Sequence, residues 1–313
     1  MSKKTSTNQQ TIAFDEGQTG SRVGNRRHIL RIIILTFCAL FIIFCVFELW
    51  ISKHGLTVSH YELTSEKIKH PFRIVQLTDL HNSVFGDGNE KLVAKVREEK
   101  PDLILITGDL LNQEEEMTEI ATGLIREMVK IAPVYVSLGN HEVGYEERWG
   151  TNLTEEYTAA GAAVLERDWR EIEVNDQKIR LGGIYGYCLP LKTAGENPDR
   201  LPESEFTDEF DDTDEYSILM AHMPVCWMIN GSLDAYDIDC VLSGHAHGGQ
   251  IILPFLGGFH APDQGYFIGR EWGVFDSKDG QKHMVLSRGL GSREKIPRFN
   301  NIPEIVTVEF VGQ

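Results

Sequence analysis

The sequence predicts an α/β domain preceded by a single membrane-spanning helix, and three observations lead to this fold class. Between residues 72 and 142, short apolar runs alternate with amphipathic helical patterns. After residue 168 the chain consists mostly of further strand-like runs. An uncharged apolar stretch lies near the N-terminus, at residues 32–47.

The N-terminal segment is predicted to be a transmembrane helix. Residues 32–47 contain no charge, and the apolar stretch continues past Glu48 to Ile51. About 20 such residues cross a bilayer, so we assign residues 29–52 to the span. A buried core helix is the alternative, which is disfavoured because the segment is apolar on all sides and follows a polar tail.

Charges flanking the span predict its orientation. Only Lys53 closely follows the apolar stretch, whereas four arginines precede the uncharged residues 32–47: Arg22, Arg26, Arg27 and Arg31. The positive-inside rule then leaves the N-terminus in the cytoplasm, with residues 1–28 as a disordered tail, and residues 55–313 outside. Arg26 and Arg27 also resemble a twin-arginine export signal, but an anchor is favoured because no cleavage site of the A-x-A type follows.

Charge and cysteine content argue against two classes of protein. The formal net charge is -17, and residues 54–313 contain 23 basic against 44 acidic side chains. A domain with this negative charge repels the phosphate backbone of nucleic acid, and the sequence contains no stripe of basic residues that could bind it. The five cysteines include no C-x-x-C pair, so a disulfide framework, a zinc ribbon or a redox site finds no support.

The first half of the outer domain reads as strand, helix, strand, helix, strand. The strand-like runs lie in residues 74–77, 103–109 and 134–142, and the helical patterns in residues 89–100 and 116–131. This alternation is typical of a parallel sheet. Asp79, Asp109 and Asn140 each occur just past the apolar part of one of these runs, at intervals of 30 and 31 residues, about one βαβ unit. They should therefore meet at the carboxyl edge of that sheet.

The second half has more β character. A hairpin is predicted to turn at Asn175-Asp176, and apolar strands should end at His222 and His245. Two more strands are expected in residues 283–291 and 303–310. The acidic stretch from Gly195 to Tyr216 is predicted to be a solvated loop.

Five strand ends carry polar motifs in a fixed order. They are Asp79-x-His81, Gly108-Asp109, Gly139-Asn140-His141-Glu142, His222 and Gly244-His245-x-His247. This array resembles the calcineurin-like metallophosphoesterase family, over roughly Phe72 to Phe310. The resemblance implies two mixed β-sheets packed face to face with flanking helices, an αββα sandwich. The segments "HGGQIILPFLGG", "SRGLGS" and "PEIVTVEF" look like its bacterial membrane-associated branch.

The resemblance implies two divalent metal ions and assigns their ligands. Asp79, His81, Asp109 and His247 would bind one ion. The second would bind Asp109, Asn140, His222 and His245, with Asp109 as the bridge. Mixed imidazole and oxygen donors suit Mn, Fe, Zn or Co rather than Mg or Ca, and Mn is the first expectation by resemblance.

The implied reaction is attack by metal-activated hydroxide on phosphorus, with His141 donating a proton to the leaving oxygen. Glu142 is expected to make structural hydrogen bonds, and Arg288 and Arg293 to contact either phosphate or protein. The expected protein is a membrane-anchored phosphoesterase for phosphodiesters or pyrophosphates, including those of lipid or envelope precursors. Phosphomonoester hydrolysis, a non-catalytic scaffold for a partner protein and a metal-storage or sensor domain are the alternatives.

Overall fold

The computed structural model describes residues 17–185, 202–229, 231–262, 264–267, 269, 271–292 and 296–313. The chain divides into two compact units, Met1–Glu48 and Leu49–Gln313. Within the described residues, one helix is long and apolar enough to cross a membrane, at Arg26–His54. This helix starts earlier than predicted, at Gly17, so the residues between Gly17 and His28 that were expected to be disordered are helical. Extending an existing helix is easier than nucleating one.

Eight α-helices are described. They are α1 (Gly17–His54), α2 (Glu90–Glu99), α3 (Glu119–Met128), α4 (Asn140–Trp149), α5 (Leu153–Ala159), α6 (Pro202–Phe210), α7 (Val225–Met228) and α8 (Ser232–Ala235). Short 3-10 turns lie at Asp87–Asn89 and His247–Gly249.

The described part of the chain also contains sixteen strands. They are β1 (Thr57–Ser65), β2 (Phe72–Leu77), β3 (Leu103–Thr107), β4 (Val134–Ser137), β5 (Ala163–Val164), β6 (Asp168–Val174), β7 (Gln177–Ile184), β8 (Tyr216–Ala221), β9 (Cys240–Ser243), β10 (Ile252–Leu253), β11 (Gly257–Gly258), β12 (His260–Ala261), β13 (Gly265–Tyr266), β14 (Gly273–Asp276), β15 (His283–Leu286) and β16 (Glu304–Gly312).

These strands form two six-stranded mixed sheets and two short hairpins. The first sheet has the order β1-β16-β2-β3-β4-β5, and the second has the order β14-β15-β9-β8-β7-β6. In the first sheet β2 to β5 are parallel and β16 runs antiparallel to β2. In the second sheet β7, β8, β9 and β15 are parallel, with an antiparallel strand at each edge.

The two sheets pack face to face, which confirms the αββα architecture. The core between them joins residues of both sheets, such as Ile74 and Val308 from the first and Ile218 and Leu242 from the second. Helices α2 to α5 cover the outer face of the first sheet, and α6 to α8 cover that of the second. Each helix layer therefore buries one apolar stripe against a sheet.

One element corrects the sequence-based expectation. The acidic stretch from Gly195 to Tyr216 was expected to be a loop, yet α6 lies within it, while residues 195–201 fall outside the described part of the chain. Phe206 and Phe210, four residues apart, stack at 5.7 Å between ring centroids and are buried. Two aromatic side chains on one helical face are enough to dock this otherwise polar helix.

Other expectations are confirmed. The hairpin turns at Asn175-Asp176, where both residues have positive φ as a type I′ turn requires. Strands end before His222 and His245 as predicted. Further elements were not predicted: strands β1, β5 and β14, the hairpins β10–β11 and β12–β13, and helices α4, α5, α7 and α8. Helix α4 begins at Asn140, within the run that was read as a strand over residues 134–142.

Candidate metal centre

The predicted ligands emerge where parallel strands end. Asp79 and Asp109 each lie two residues after a strand of the first sheet, and Asn140 begins α4 after β4. His222 follows β8 directly, and His245 lies two residues after β9. The two sheets are joined beside this edge, since Gln76 Nε2 donates to Thr107 Oγ1 at 3.0 Å and to the Ser243 carbonyl at 2.9 Å. Residues from both sheets therefore meet at one site, as the spacing predicts.

Asp109 lies at the centre of this arrangement. Its Oδ2 atom is 3.2 Å from His222 Nε2 and 3.7 Å from His81 Nε2. On one side, Asp79 Oδ1 lies 3.8 Å from His81 Nε2 and 3.6 Å from His247 Nε2. The Asp109 carboxylate therefore lies close to an imidazole of each predicted ligand set.

The amide of Asn140 completes the other side of the site. Its Oδ1 atom lies 2.9 Å from His245 Nδ1 and 3.2 Å from His222 Nε2. All seven predicted ligands are thus adjacent to another member of the set.

Three groups of side chains have ligand atoms within 4.8 Å of one another. They are Asp79, His81 and His247; Asp109, His222 and His245; and His81, Asp109 and His141. The first group contains three of the four residues that the resemblance implies for one ion, and the second contains three of the four implied for the other. The third brings His141 to the same place, although the resemblance gives His141 a role other than metal binding.

The nitrogen atoms of two histidines have the orientation that metal binding requires. His222 Nδ1 lies 2.6 Å from the Thr107 carbonyl and must donate to it, which leaves the Nε2 lone pair facing Asp109. His81 Nδ1 contacts Asn112 Oδ1 at 3.1 Å, and its Nε2 atom is buried without a hydrogen-bond partner among the described residues. A buried nitrogen without a hydrogen-bond partner, between the carboxylates of Asp79 and Asp109, fits a metal ligand.

Backbone amides orient both carboxylates. The amide of His245 donates to Asp79 at 3.1 Å, and the amide of His141 donates to Asp109 Oδ1 at 2.8 Å. A backbone N–H of the Gly244–His247 motif therefore orients the side chain of Asp79, and one of the Gly139–Glu142 motif orients that of Asp109.

Five of the predicted ligands have left-handed backbones. The φ angles of Asp79, His81, Asp109, His245 and His247 lie between 47° and 66°. Non-glycine residues in this region cost on the order of 1 kcal/mol or more each, and such residues cluster at functional sites. The strain supports a functional role for this edge of the sheets.

Two glycines are required by close approach. A Cβ atom on Gly139 would clash with Asp109 Oδ1, and one on Gly244 would clash with Thr78 Oγ1 and Asp79 Oδ2. The bulk of any other residue would displace the carboxylates, which explains glycine beside the ligands.

Burial and mutual attraction set the charge state of the centre. Burial favours neutral His222, but the Asp109 carboxylate outweighs it and raises the pKa of His222 to about 10. Burial would likewise raise the pKa of Asp109, but the His222 charge lowers it well below its usual value. Burial lowers the pKa of His247, which keeps that imidazole neutral. A bound cation would replace the proton of His222.

Glu142 makes the structural hydrogen bonds that were expected of it. Its carboxylate accepts the backbone N–H groups of Asp109 and Leu110 at 2.7 Å each and of Gly139 at 2.9 Å. Tyr157 Oη adds a fourth contact at 3.2 Å. Burial and the nearby Asp109 charge raise the pKa of Glu142. This side chain fastens the loop after β3 to the start of α4.

His141 is oriented by a backbone group. Its Nδ1 atom accepts the amide N–H of Gln113 at 3.2 Å, so the neutral imidazole carries its proton on Nε2. The ring lies edge-on to His81, with 4.5 Å between the centroids.

Several residues around the ligands were not found from the sequence. Asn112 contacts His81, and the Thr107 carbonyl contacts His222. Arg298 is buried, donates to the carbonyls of Arg288 and Gly291 at 2.6 and 2.7 Å, and lies 3.5 Å from His247 Nδ1. None belongs to a motif, and a backbone carbonyl has no sequence signal. Of the two arginines that were singled out, Arg288 pairs with Glu304 at 3.0 Å, and Arg293 lies outside the described residues.

The chain belongs to the calcineurin-like phosphoesterase family, whose model matches residues 72–249. Family membership makes it a metal-dependent phosphoesterase with a binuclear divalent metal centre, in agreement with the clusters described above.

Two bacterial relatives are similar to this chain over most of their length, and one solved structure is similar over about half of its length. The chain is 28% identical over 266 residues to the metallophosphoesterase YkuE of Bacillus subtilis (strain 168), covering 82% of this chain and 86% of that protein. It is 28% identical over 258 residues to the phosphodiesterase YaeI of Escherichia coli (strain K12), covering 77% and 83%. The crystal structure of a 5'-nucleotidase precursor from Thermus thermophilus is similar with a TM-score of 0.44 and 14% identity, covering 70% of this chain and 49% of that chain.

Proposed function

We propose that this protein is a membrane-anchored, two-metal phosphodiesterase that hydrolyses phosphodiester or pyrophosphate bonds. The observation that supports it best is the position of Asp109 Oδ2, 3.2 Å from His222 Nε2 and 3.7 Å from His81 Nε2. A carboxylate shared between two ligand sets is what a pair of cations needs to offset their mutual repulsion.

The proposed ligand sets follow the sequence motifs. Asp79, His81, Asp109 and His247 bind one ion, and Asp109, Asn140, His222 and His245 bind the other. When bound, the two cations activate water for attack on phosphorus and neutralise charge on the phosphate oxygens. Manganese is the first choice, with iron, zinc or cobalt as alternatives, because the donors mix imidazole with carboxylate and amide oxygens.

His141 is proposed as the proton donor to the leaving oxygen. The contact from Gln113 leaves the proton on Nε2, where it is available for donation. The short distance between His141 and the candidate centre supports this role, because a ring nitrogen of His141 lies within 4.8 Å of the ligand atoms of His81 and Asp109.

The membrane anchor is proposed to be α1, with the N-terminus in the cytoplasm and the catalytic domain on the extracytoplasmic side. Its apolar side chains between Ile29 and Phe47 are exposed rather than packed in a core. Arginines on the N-terminal side give the orientation. A tethered catalytic domain favours lipid-linked or envelope phosphoesters as substrates.

The first test compares two soluble substrates. The full chain in detergent with added Mn²⁺ should hydrolyse bis-p-nitrophenyl phosphate faster than p-nitrophenyl phosphate. The reverse preference would favour a phosphomonoesterase, and no turnover with any of the four metals would contradict the proposal. Replacement His141→Ala should lower kcat by about a hundredfold or more while metal content stays at two ions per chain. An unchanged kcat would remove His141 from the mechanism.

A further inference from the structure

An exposed apolar surface lies beside the candidate metal centre. The hairpin β10–β11 carries Phe255 and Leu256 at its turn, with relative exposures of 106% and 61%. The neighbouring hairpin β12–β13 adds Tyr266 and the adjacent Phe267, and Ile296 is also exposed. We call these five residues the apolar hairpin surface. Large side chains exposed together on a water-facing surface indicate an interaction site.

The hairpins are attached directly to the loop that contains His247. The amide of Phe259 donates to the carbonyls of Gly249 and Ile251 at 3.1 and 2.7 Å. The ring of Phe259 in turn contacts Tyr266 and Phe267 at 5.2 and 5.4 Å between centroids. Gln250 Nε2 donates to the carbonyl of Ile296. A molecule or a membrane that contacts the apolar hairpin surface therefore lies next to the candidate metal centre.

The last residues of α1, which belong to the unit Leu49–Gln313, lie near the loop that contains His247. Within the unit Leu49–Gln313, the Asn301 amide donates to the buried Ser52 Oγ at 3.1 Å, and Asn301 Nδ2 donates to the His247 carbonyl at 2.7 Å. Asn300 Nδ2 donates to the carbonyl of Ile252 at 3.0 Å. The first strand of the exposed hairpin is therefore two contacts from Ser52, the last residue of the proposed span.

Charge indicates what kind of surface fits. Between residues 251 and 269 the only Lys, Arg, Asp or Glu is Asp263, whereas the domain as a whole is strongly acidic. The two hairpins therefore carry no Lys or Arg to attract anionic lipid headgroups, so their contact with a bilayer must come from apolar insertion.

We propose that the apolar hairpin surface inserts into the bilayer that anchors the chain, and that the adjacent centre acts on phosphoesters carried on a lipid tail. Phe255 and Leu256 enter the acyl boundary, and the phosphate of a neighbouring lipid-borne substrate meets the centre at the bilayer surface. The substrate half of this proposal rests on the proposed phosphodiesterase function; the insertion half does not.

Insertion is tested without any catalytic readout. The full chain with photoreactive benzoylphenylalanine in place of Phe255 is reconstituted in vesicles of phosphatidylethanolamine and phosphatidylglycerol, part of the former carrying an alkyne tail. Irradiation should give lipid adducts at position 255. The matched control places the same group at Ile229, which has 58% exposure and follows α7. Equal yields at both positions, or crosslinks only to a second copy of the chain, would overturn insertion.

The substrate class is tested with two phosphodiesters that differ only in their tail. The double replacement Phe255→Asp with Leu256→Asp should lower the rate on hexadecyl p-nitrophenyl phosphate in vesicles by about tenfold or more, and change that on soluble ethyl p-nitrophenyl phosphate less than about twofold. Equal losses on both, or none, would refute a lipid-borne substrate. If the unsubstituted chain hydrolyses neither, the phosphodiesterase proposal fails, and the crosslinking result still decides insertion.

Discussion

At the residue scale, the candidate centre depends on side chains held in place by residues from other strands. The Asp109 carboxylate accepts a hydrogen bond from the backbone N–H of His141, and the Asp79 carboxylate accepts one from that of His245. Glu142 accepts three backbone hydrogen bonds near the ends of β3 and β4. The ordered motifs supplied the seven proposed ligands and His141 from sequence. Asn112 and Arg298 could not be identified in this way. A polar residue outside a motif cannot be distinguished from a surface residue by its sequence, because the sequence does not show that its side chain is buried.

Replacement Asp109→Asn is expected to disable both halves of the centre. The amide keeps the size of the side chain but loses the negative charge, so it cannot balance two cations, and activity should fall by about a thousandfold if the loss is about 4 kcal/mol. Metal content, measured by inductively coupled plasma mass spectrometry, should drop below two ions per chain. The control Asp276→Asn removes an exposed carboxylate that pairs with His283 and should leave both quantities unchanged. Full metal content in the Asp109 variant would argue against the bridge.

Replacement Gly244→Ala tests close packing beside the ligands. The added methyl group would clash with Thr78 and Asp79, so we expect lower activity and a stability loss of about 1–3 kcal/mol in urea unfolding. Gly123→Ala is the matched control, because a Cβ there lies in open space within α3 and should stabilise the helix by about 0.5–1 kcal/mol. Similar behaviour of the two variants would show that the steric argument is wrong.

At the scale of elements, the strands next to the site were predictable and the peripheral elements were not. Strands β2, β3 and β4 are apolar runs separated by amphipathic helices, so periodicity identifies them. Strand β1 has an alternating but largely polar sequence and is held by its parallel pairing with β16, in which paired residues such as Thr57 and Glu304 are 247 positions apart. Helix α6 escaped prediction because its acidic residues outnumber its two phenylalanines.

Helix α6 is expected to contribute measurably to stability through Phe210. This ring is fully buried and lies against Gly182 of β7, where any Cβ would approach it to 2.6 Å. Replacement Phe210→Ala should lower the free energy of unfolding by about 3–5 kcal/mol. Glu209→Ala, at the adjacent position of the same helix, should change it by less than about 0.5 kcal/mol. Equal effects in denaturant titrations would mean that α6 does not pack as described.

At the scale of the whole molecule, the fold and the centre are separable. Three apolar clusters, one between the sheets and one on each outer face, stabilise the domain without any ligand to a metal. The imidazole of His222, whose pKa is raised to about 10 by Asp109, supplies positive charge to the centre when no cation is bound. A domain built in this way should survive metal removal, unlike a small domain whose folding depends on its metal.

Chelation therefore should abolish activity without unfolding the protein. After treatment of the full chain with EDTA in detergent, we expect turnover of bis-p-nitrophenyl phosphate to vanish while the circular dichroism spectrum is retained. Metal at about one hundred times its dissociation constant stabilises a folded state by about 2.7 kcal/mol, so Tm should rise by several degrees when Mn²⁺ is restored. Parallel additions of iron, zinc and cobalt would rank the metals by recovered activity. Loss of the circular dichroism signal on chelation would show instead that the ions hold the two sheets together, because the apolar core would then be insufficient by itself.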